Sequence, residues 1–405
     1  MRILYCIPRY DDNALGNQIH TEVIAEWCAQ GHTVDIATMT STTRQISARV
    51  VGGIPVYALP TRKSRFVAAI NRIGNWLTGY PYFWGAIQSF GQFFRTQQPY
   101  DVIHVETAFP LGIVVQLTKP TTSRLAVTLP GADIMRVPAF DYGYARYRTV
   151  RVLIRYLLAR ADAVRADSRQ IEALALTYGA PAKRLTAVPY NITAHSFVSS
   201  ETSLAAEKTA SRAFLCQTYA ISTDATIVLS LNRLHPFKGI EYIIEAVPAT
   251  VAAGLNVHVL VVGHNRTTPK YGDYGAYLAD KAKLLGVSHR VHFVGGIPHH
   301  EARAYLAGSD TTIVPSRAES FSRVVIESAA VGTPPIVTAT TGASDYVRDA
   351  ACGVVVAPHS SSAICAGILE VMEKHAQLAE RCVPFALEFR SHVIAATLLD
   401  IYTSI

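Results

Sequence analysis

The chain has 405 residues, half of them apolar and 17% charged, with a formal net charge of +7 and a sequence pI near 9.0. That length supports two separate cores, the composition excludes a disordered or fibrous protein, and the basic balance favours an anionic partner such as a nucleotide, a phospholipid surface or nucleic acid. No apolar run reaches the roughly 18 residues of a membrane span. Met1-Arg2 runs directly into a strand-like segment without the zones of a signal peptide. The six cysteines, Cys6, Cys28, Cys216, Cys352, Cys365 and Cys382, are scattered and include no CxxC pair. A cytoplasmic protein with free thiols and neither disulfides nor a metal site is expected.

Arg2 to Ile7 read as a first parallel strand, and Gly16-Asn17-Gln18 leads into a helix with Ile19, Val23, Ile24 and Trp27 on one face. Gly31-His32 ends that helix and Thr33 to Ala37 give a second strand. Strand, loop, helix, strand is the βαβ unit of a doubly wound sheet. Residues 62–95 then interrupt the alternation. Arg62, Lys63, Arg65 and Arg72 surround Phe66, Ile70, Ile73 and Leu77 at helical spacing, and Trp76, Tyr80, Tyr82, Trp84 and Phe90 follow. A cationic helix edged by aromatics suits an anionic membrane surface, while a core-facing helix with a solvated side explains the same pattern, and both readings stay open. Asp101 to Val105 form another strand, within which His104 reads as a satisfied core residue, and Leu125 to Thr128 the next, running into Leu129-Pro130-Gly131-Ala132-Asp133. A second basic stretch, Arg136 to Arg160, carries Arg146, Arg148, Arg151 and Arg155 among tyrosines and leucines. The Ser-, Thr- and Ala-rich residues 196–223, with a helical patch near Arg212 to Tyr219, mark the crossing into a second domain, so the domains are expected at 1–195 and 196–385.

The second half opens with Thr226 to Leu231, a continuous apolar run of the doubly covered parallel type. It ends in Asn232-Arg233-Leu234 and, five residues after Arg233, in Lys238-Gly239 at the start of a helix. Two cations on one strand-to-helix loop suit a diphosphate, the Arg by a fork and the Lys as a point charge. Val257 to Gly263 and Arg290 to Gly295 are further strands, each ending in Gly; Tyr271, Tyr274 and Tyr277 between them carry no reading. Next, Thr311 to Val314 form a short strand, Pro315-Ser316 break it, and Glu319, Ser320, Phe321, Ser322, Arg323 and Val324 run into a helical pattern that holds Glu327 and ends at Gly332. The small Ser320 and Ser322 let a backbone turn approach a ligand, and the first amides of the helix are unpaired donors suited to an anion. Ionised carboxylates accept hydrogen bonds from sugar hydroxyls. A phosphate site beside Glu319 and Glu327 therefore matches a nucleotide sugar, which has both parts.

Glu319-x7-Glu327, with Phe321 inside it and Gly332, Pro334 and Ile336-Val337 behind it, resembles the signature of family-four retaining glycosyltransferases, the glycosyl transferases group 1 of the GT-B fold. The resemblance implies an α/β protein of two Rossmann-like doubly wound domains facing across a cleft, with a C-terminal helix at about 386–405 packing back on the first. It implies that Glu327 holds the ribose, that Glu319 lies by the donor sugar, and that Arg233 and Lys238 take the diphosphate. The donor site would be completed by Gly263, Ile297, Ser320, Phe321, Ser322, Arg323 and Val324, with Glu319, Arg233 and Lys238 catalytic. Gly16, Gly131 and Asp133 stand on the acceptor side, and the stretches 161–168 and 185–191 resemble the last strands of the first domain. The chain departs from the family pattern in Pro130, where a His is common, in Asn232 for a Gly, and in Asn191 and Thr193 for a Gly and an Asp.

The expected activity is retaining, metal-independent transfer from a UDP- or GDP-type nucleotide sugar to an acceptor hydroxyl, in glycolipid, polysaccharide or natural-product synthesis. No cofactor beyond the nucleotide sugar is expected. The expected partners are that donor, a glycan, lipid-linked or small-molecule acceptor and an anionic membrane surface on the cytoplasmic side; nucleic acid is not expected. Pro130, Asn191 and Thr193 motivate the alternative, a nucleotide-sugar-binding protein of the same fold that has lost transfer.

Overall fold

The computed structural model describes residues 1–10, 15–61, 65–80, 83–197, 200–268 and 271–405. Arg62, Lys63 and Tyr82 of the first basic segment, and the side chains of Arg65 and Phe66, lie outside that description. The chain divides into two units, Met1–Tyr190 with Ser391–Ile405, and Asn191–Arg390. The crossings expected at 195/196 and near 386 therefore fall at 190/191 and 390/391. Their cause is local: Ile192 N–H donates to Phe389 O at 3.0 Å, and both side chains are buried in one cluster of the second unit.

The first unit holds β1 (Arg2–Ile7), β2 (Thr33–Thr40), β3 (Ser47–Val51), β4 (Ile54–Pro60), β5 (Val102–Val105), β6 (Arg124–Leu129), β7 (Ala163–Ala166) and β8 (Leu185–Ala187). Their order is β3-β4-β2-β1-β5-β6-β7-β8, with β3 and β4 antiparallel and the other neighbours parallel. Alternate residues of these apolar strands feed two cores. Leu4, Cys6, Ile103, Val105, Leu125 and Val127 enter one, and Ile3, Tyr5, Ile36, Val102 and Ala126 the other. The basic segment forms two helices, Arg65–Thr78 and Phe83–Thr96.

In the second unit, β9 (Thr226–Leu231), β10 (Val257–Val262), β13 (Val291–Gly295), β14 (Thr311–Val314), β15 (Pro335–Thr338) and β16 (Val354–Val356) form a parallel sheet; β11 (Thr267–Thr268) and β12 (Gly272–Asp273) are a small hairpin. The order β13-β10-β9-β14-β15-β16 is that of the dinucleotide-binding fold. The helical patch expected near Arg212 extends back to Glu201, because the Ser200 side chain caps it by accepting from Ser203 N–H at 3.2 Å. All six cysteines are free thiols and only Cys28 is exposed.

The C-terminal pattern breaks into the helices His375–Leu387 and Ser391–Thr403, one in each unit. In the first unit, Ile394, Ala395, Leu398 and Tyr402 cover the core that contains Trp27, whose indole N–H donates to Ala395 O at 3.0 Å. Trp27→Ala is expected to lower the free energy of unfolding by about 3–5 kcal/mol. Urea denaturation measures this, and a loss well under ~1 kcal/mol would show that the terminal helix does not rest on this side chain.

Candidate functional site

In a doubly wound sheet, ligands bind beyond the carboxyl ends of the strands where the order reverses, because the loops there diverge to opposite faces. In the second unit that point lies between β9 and β14. The loop after β9 carries Arg233, His235 and Lys238, and the loop after β14 carries Arg317, Glu319, Ser320 and Ser322. The two are stapled together. Gly239, at φ +66°, brings the backbone so close that a Cβ would stand 2.3 Å from Pro315 O, and Arg317 N–H donates to Phe237 O at 2.7 Å. Arg317 also forms an ion pair with Glu241, which accepts from the buried Tyr274 hydroxyl. Tyr277 stacks on Tyr274 at 5.6 Å, so the tyrosines that had no reading in the sequence back this pair.

Lys238 and Glu319, singled out separately in the sequence, meet in an ion pair with side chains 10% and 17% exposed. Glu319 is fixed through its backbone: its N–H donates to Thr340 O at 3.1 Å, and its carbonyl accepts from Gly342 N–H at 2.9 Å. Arg233 is exposed, and Arg323 and Glu327 are half-buried, the last on the second turn of the helix Arg323–Ala330. None of the three has an ion-pair partner among the described residues. Burial, with Arg233, Lys238 and Arg266 nearby, holds the His235 imidazole below its ordinary pKa. Arg233 and Arg266 thus add positive charge beside this loop, while that of Lys238 is met by Glu319.

Gly263 sits beside the end of β9, where a Cβ would meet Asn232 O at 1.9 Å, and its N–H donates to Gly295 O at 2.8 Å. Ile297 packs against the neighbouring apolar cluster. Ser322 adopts φ +83° immediately before the helix, whose first amides lack intrahelical acceptors. Phe321 corrects an expectation: its side chain is 2% exposed, packed on Tyr346 and Phe389, and belongs to the core rather than to a ligand surface. Val324 is likewise packed against apolar clusters. Among the described residues no group of three His, Cys, Asp or Glu side chains is placed to hold a metal.

The first unit has its own cavity, about 390 Å³, at the carboxyl edge of its sheet. Arg9, Met39, Thr40, Tyr80, Phe109 and Tyr144 are among its walls. The expected acceptor-side residues are not. Gly16 is exposed and a Cβ there would meet nothing within 4 Å. Asp133 is 1% exposed and accepts from Ala108 N–H at 2.7 Å and Ile134 N–H at 3.0 Å, while Gly131 O accepts from Met135 N–H at 2.8 Å. Asp133 therefore anchors the loop bearing Thr107 and Phe109 instead of facing the cavity. The cavity is assembled from loops after several strands, so its lining had no local signal beyond the aromatic character of the two basic segments.

Asp133 also predicts a pH effect, since burial pushes its carboxyl up to about 6. Below about pH 4 it is protonated in folded and unfolded chains alike. From there to about pH 6 the folded chain keeps a proton that the unfolded chain has lost, so this group's contribution to stability declines as pH rises through that window, by up to roughly 1.4 kcal/mol per unit. Stability curves for wild type and Asp133→Asn at a series of pH values should diverge across that window; parallel curves would remove Asp133 as the cause.

Residues 17–191 match the glycosyl transferase 4-like domain and residues 212–388 match glycosyl transferases group 1. The chain is 28% identical over 237 residues to a D-inositol 3-phosphate glycosyltransferase of Thermobispora bispora, an alignment covering 56% of this chain and 52% of that one. Alignments with the first curated relatives span between 37% and 56% of those proteins. Among solved structures, sucrose-phosphate synthase from Thermosynechococcus elongatus superposes with a TM-score of 0.75 at 20% identity, covering 100% of this chain and 99% of the other. HepE of Anabaena in complex with UDP-glucose gives 0.70 at 18%, covering 100% of both.

Proposed function

Because the chain belongs to the glycosyl transferases group 1 family and has the GT-B fold, we propose that it moves a sugar from a UDP- or GDP-type nucleotide sugar to an acceptor hydroxyl, with retention at the anomeric carbon and without a bound metal. The observation that carries this reading is the positive field of Arg233, Lys238 and Arg266 around a depressed His235, at the switch point of the second unit, with Glu327 unpaired on the adjacent helix. A diphosphate takes the cations and the first amides of the helix Arg323–Ala330, and Glu327 accepts from ribose hydroxyls. In transfer the acceptor oxygen bonds to the anomeric carbon as the bond from that carbon to the phosphate oxygen breaks, and the hydroxyl proton leaves with the diphosphate. The new negative charge develops where Arg233, Lys238 and the amides already point, which is how preorganised dipoles and cations lower a barrier.

The aromatic and hydroxyl-bearing cavity of the first unit, with Tyr80, Phe109, Tyr144, Thr40 and Thr107, suits an acceptor with both an apolar part and hydroxyl groups, such as a glycolipid or a glycosylated natural product. UDP-glucose, the ligand in the HepE structure, is the first donor to test. Pro130, which has no imidazole and no backbone N–H to offer, favours the second reading, a binding protein without transfer.

With purified protein, Lys238→Ala and Glu327→Ala are each expected to lower kcat/KM for the donor by about ten- to a hundredfold, the weight of one charge-assisted hydrogen bond. Wild-type values in both would remove the assignment, and donor binding with neither transfer nor hydrolysis would establish the second reading. A readout independent of turnover is the His235 ring: followed by NMR, it should titrate below its ordinary pKa in the free protein and move upward when a nucleoside diphosphate neutralises the neighbouring cations. No movement at saturating UDP and GDP would place the diphosphate elsewhere.

A further inference from the structure

We propose that the face of the first unit formed by the helices Arg65–Thr78 and Arg148–Leu158 docks on an anionic lipid bilayer, lying in its interface. On the first helix Ile73, Trp76 and Leu77 share one face by their i, i+3, i+4 spacing, and they are 60%, 79% and 40% exposed. Trp84, 44% exposed, opens the next helix, where its backbone N–H donates to Oδ1 of the buried Asn71 at 3.2 Å, on the side of the first helix away from that face. The second helix abuts the end of the first, where Thr149 Oγ1 donates to Leu77 O. Its outward stripe is Arg148, Val152 and Arg155, with Val152 58% exposed, while Val150, Ile154, Leu157 and Leu158 face the core.

Singly exposed apolar residues need no explanation, but one tryptophan and three aliphatic side chains gathered on two abutting helices do. The charge around them chooses the occupant. Residues 61–100 and 142–161 contain no Asp or Glu, whereas Arg72, Arg95, Arg146, Arg148, Arg151, Arg155 and Arg160 lie within them. A second copy of the chain would set this patch against itself, arginine against arginine, with Arg146 alone of the seven holding an acid, Asp141 at 3.3 Å, among the described residues. A nucleic acid would take the arginines and leave Ile73, Leu77 and Val152 in water. An anionic bilayer satisfies both sets at once: headgroup phosphates meet the guanidinium groups, indoles sit at the level of the headgroups, and the aliphatic side chains enter the acyl boundary. Among the described residues no single helix is long and apolar enough to cross a membrane. Tyr80 and Tyr144, which flank these helices in sequence, line the cavity of the same unit. Docking stands independently of the transfer reaction and is tested without it.

Vesicle flotation at low salt tests the proposal, with phosphatidylglycerol–phosphatidylcholine vesicles compared with phosphatidylcholine alone. Wild type should float with the anionic vesicles, remain behind with the neutral ones and release as salt is raised to physiological strength and beyond, as the Debye length shrinks from about 30 Å at 0.01 M to about 8 Å. Arg148→Gln with Arg155→Gln should weaken partitioning about thirtyfold, the weight of two arginines at an anionic surface, and Ile73→Ser with Trp76→Ser should abolish it at an unchanged melting temperature. Lys283→Gln with Leu284→Ser, exposed residues of the other unit, should change nothing. The proposal is overturned if the first two variants bind like wild type, if the control loses binding equally, or if wild type stays unbound while forming a dimer that Ile73→Ser with Trp76→Ser dissolves. Because Arg148 and Arg155 are exposed, and Arg155 reaches the core only as a guanidinium 5.9 Å from the Tyr178 ring, their variant keeps the test open should the Trp76 variant fold poorly.

Discussion

The second unit depends on the close approach of two loops that leave the sheet in opposite directions, after β9 and after β14. Gly239 against Pro315, Arg317 N–H on Phe237 O, Arg317 on Glu241 and Lys238 on Glu319 all join the same two loops. Both ion pairs are largely removed from water, so desolvation offsets most of their attraction and they are not the source of stability. Their consequence is registration. Breaking either would leave a largely buried charge without its ionic partner, so the loops can move apart only at a high cost, and the cations stay where a diphosphate would need them. Glu319 then acts as the resident counterion of Lys238, whose side chain is 10% exposed.

Both sheets reverse their strand order beside the first strand, between β1 and β5 and between β9 and β14, but treat the crevice there differently. In the first unit Glu106 follows β5 directly and is 4% exposed, with Tyr190 Oη at 2.6 Å, His104 Nε2 at 3.0 Å and Arg165 Nη1 at 3.6 Å, and it also accepts from Tyr5. Burial pushes its carboxyl up, but His20, His104 and Arg165 together outweigh that and hold it well below the usual range. His104 in turn bonds Thr128 at 2.7 Å and Tyr402 of the terminal helix. That crevice is filled by a network that neutralises itself. The other keeps Arg233 exposed and unpaired, and only one of the two is therefore suited to an anion from outside.

What was legible in the sequence was whatever a short segment decides by itself. The parallel strands stood out because burial on both faces demands continuous apolar runs such as Thr226 to Leu231, and the loop residues Arg233, Lys238, Glu319 and Glu327 stood out because their spacing is local. Contacts across the chain were not legible. Arg317 meets Glu241 from 76 positions away, and the cavity of the first unit draws Arg9, Thr40, Tyr80, Thr107 and Tyr144 from separate loops. Phe321 shows the opposite failure, a motif residue whose neighbours suggested a ligand surface but whose ring fills the space between Tyr346 and Phe389. Asp133 was singled out on the acceptor side, yet its carboxylate is consumed by the backbone of the loop it supports.

Ser322 ties these threads together. A non-glycine residue at φ +83° is strained by about 1 kcal/mol or more, and such strain persists only where the surroundings over-determine the backbone. They do so here from both sides: Gly342 N–H and Ala343 N–H hold the carbonyls of Glu319 and Phe321 at 2.9 and 3.0 Å, and Val325 N–H takes the Ser322 carbonyl at 3.2 Å. The burial of Phe321 supplies the remaining constraint, since its ring cannot leave the core without opening a cavity. An ordinary β or helical conformation at Ser322 would swing the chain away and redirect the first amides of the helix. The buried aromatic is what fixes the direction in which the adjacent backbone, and with it the first amides of the helix, points.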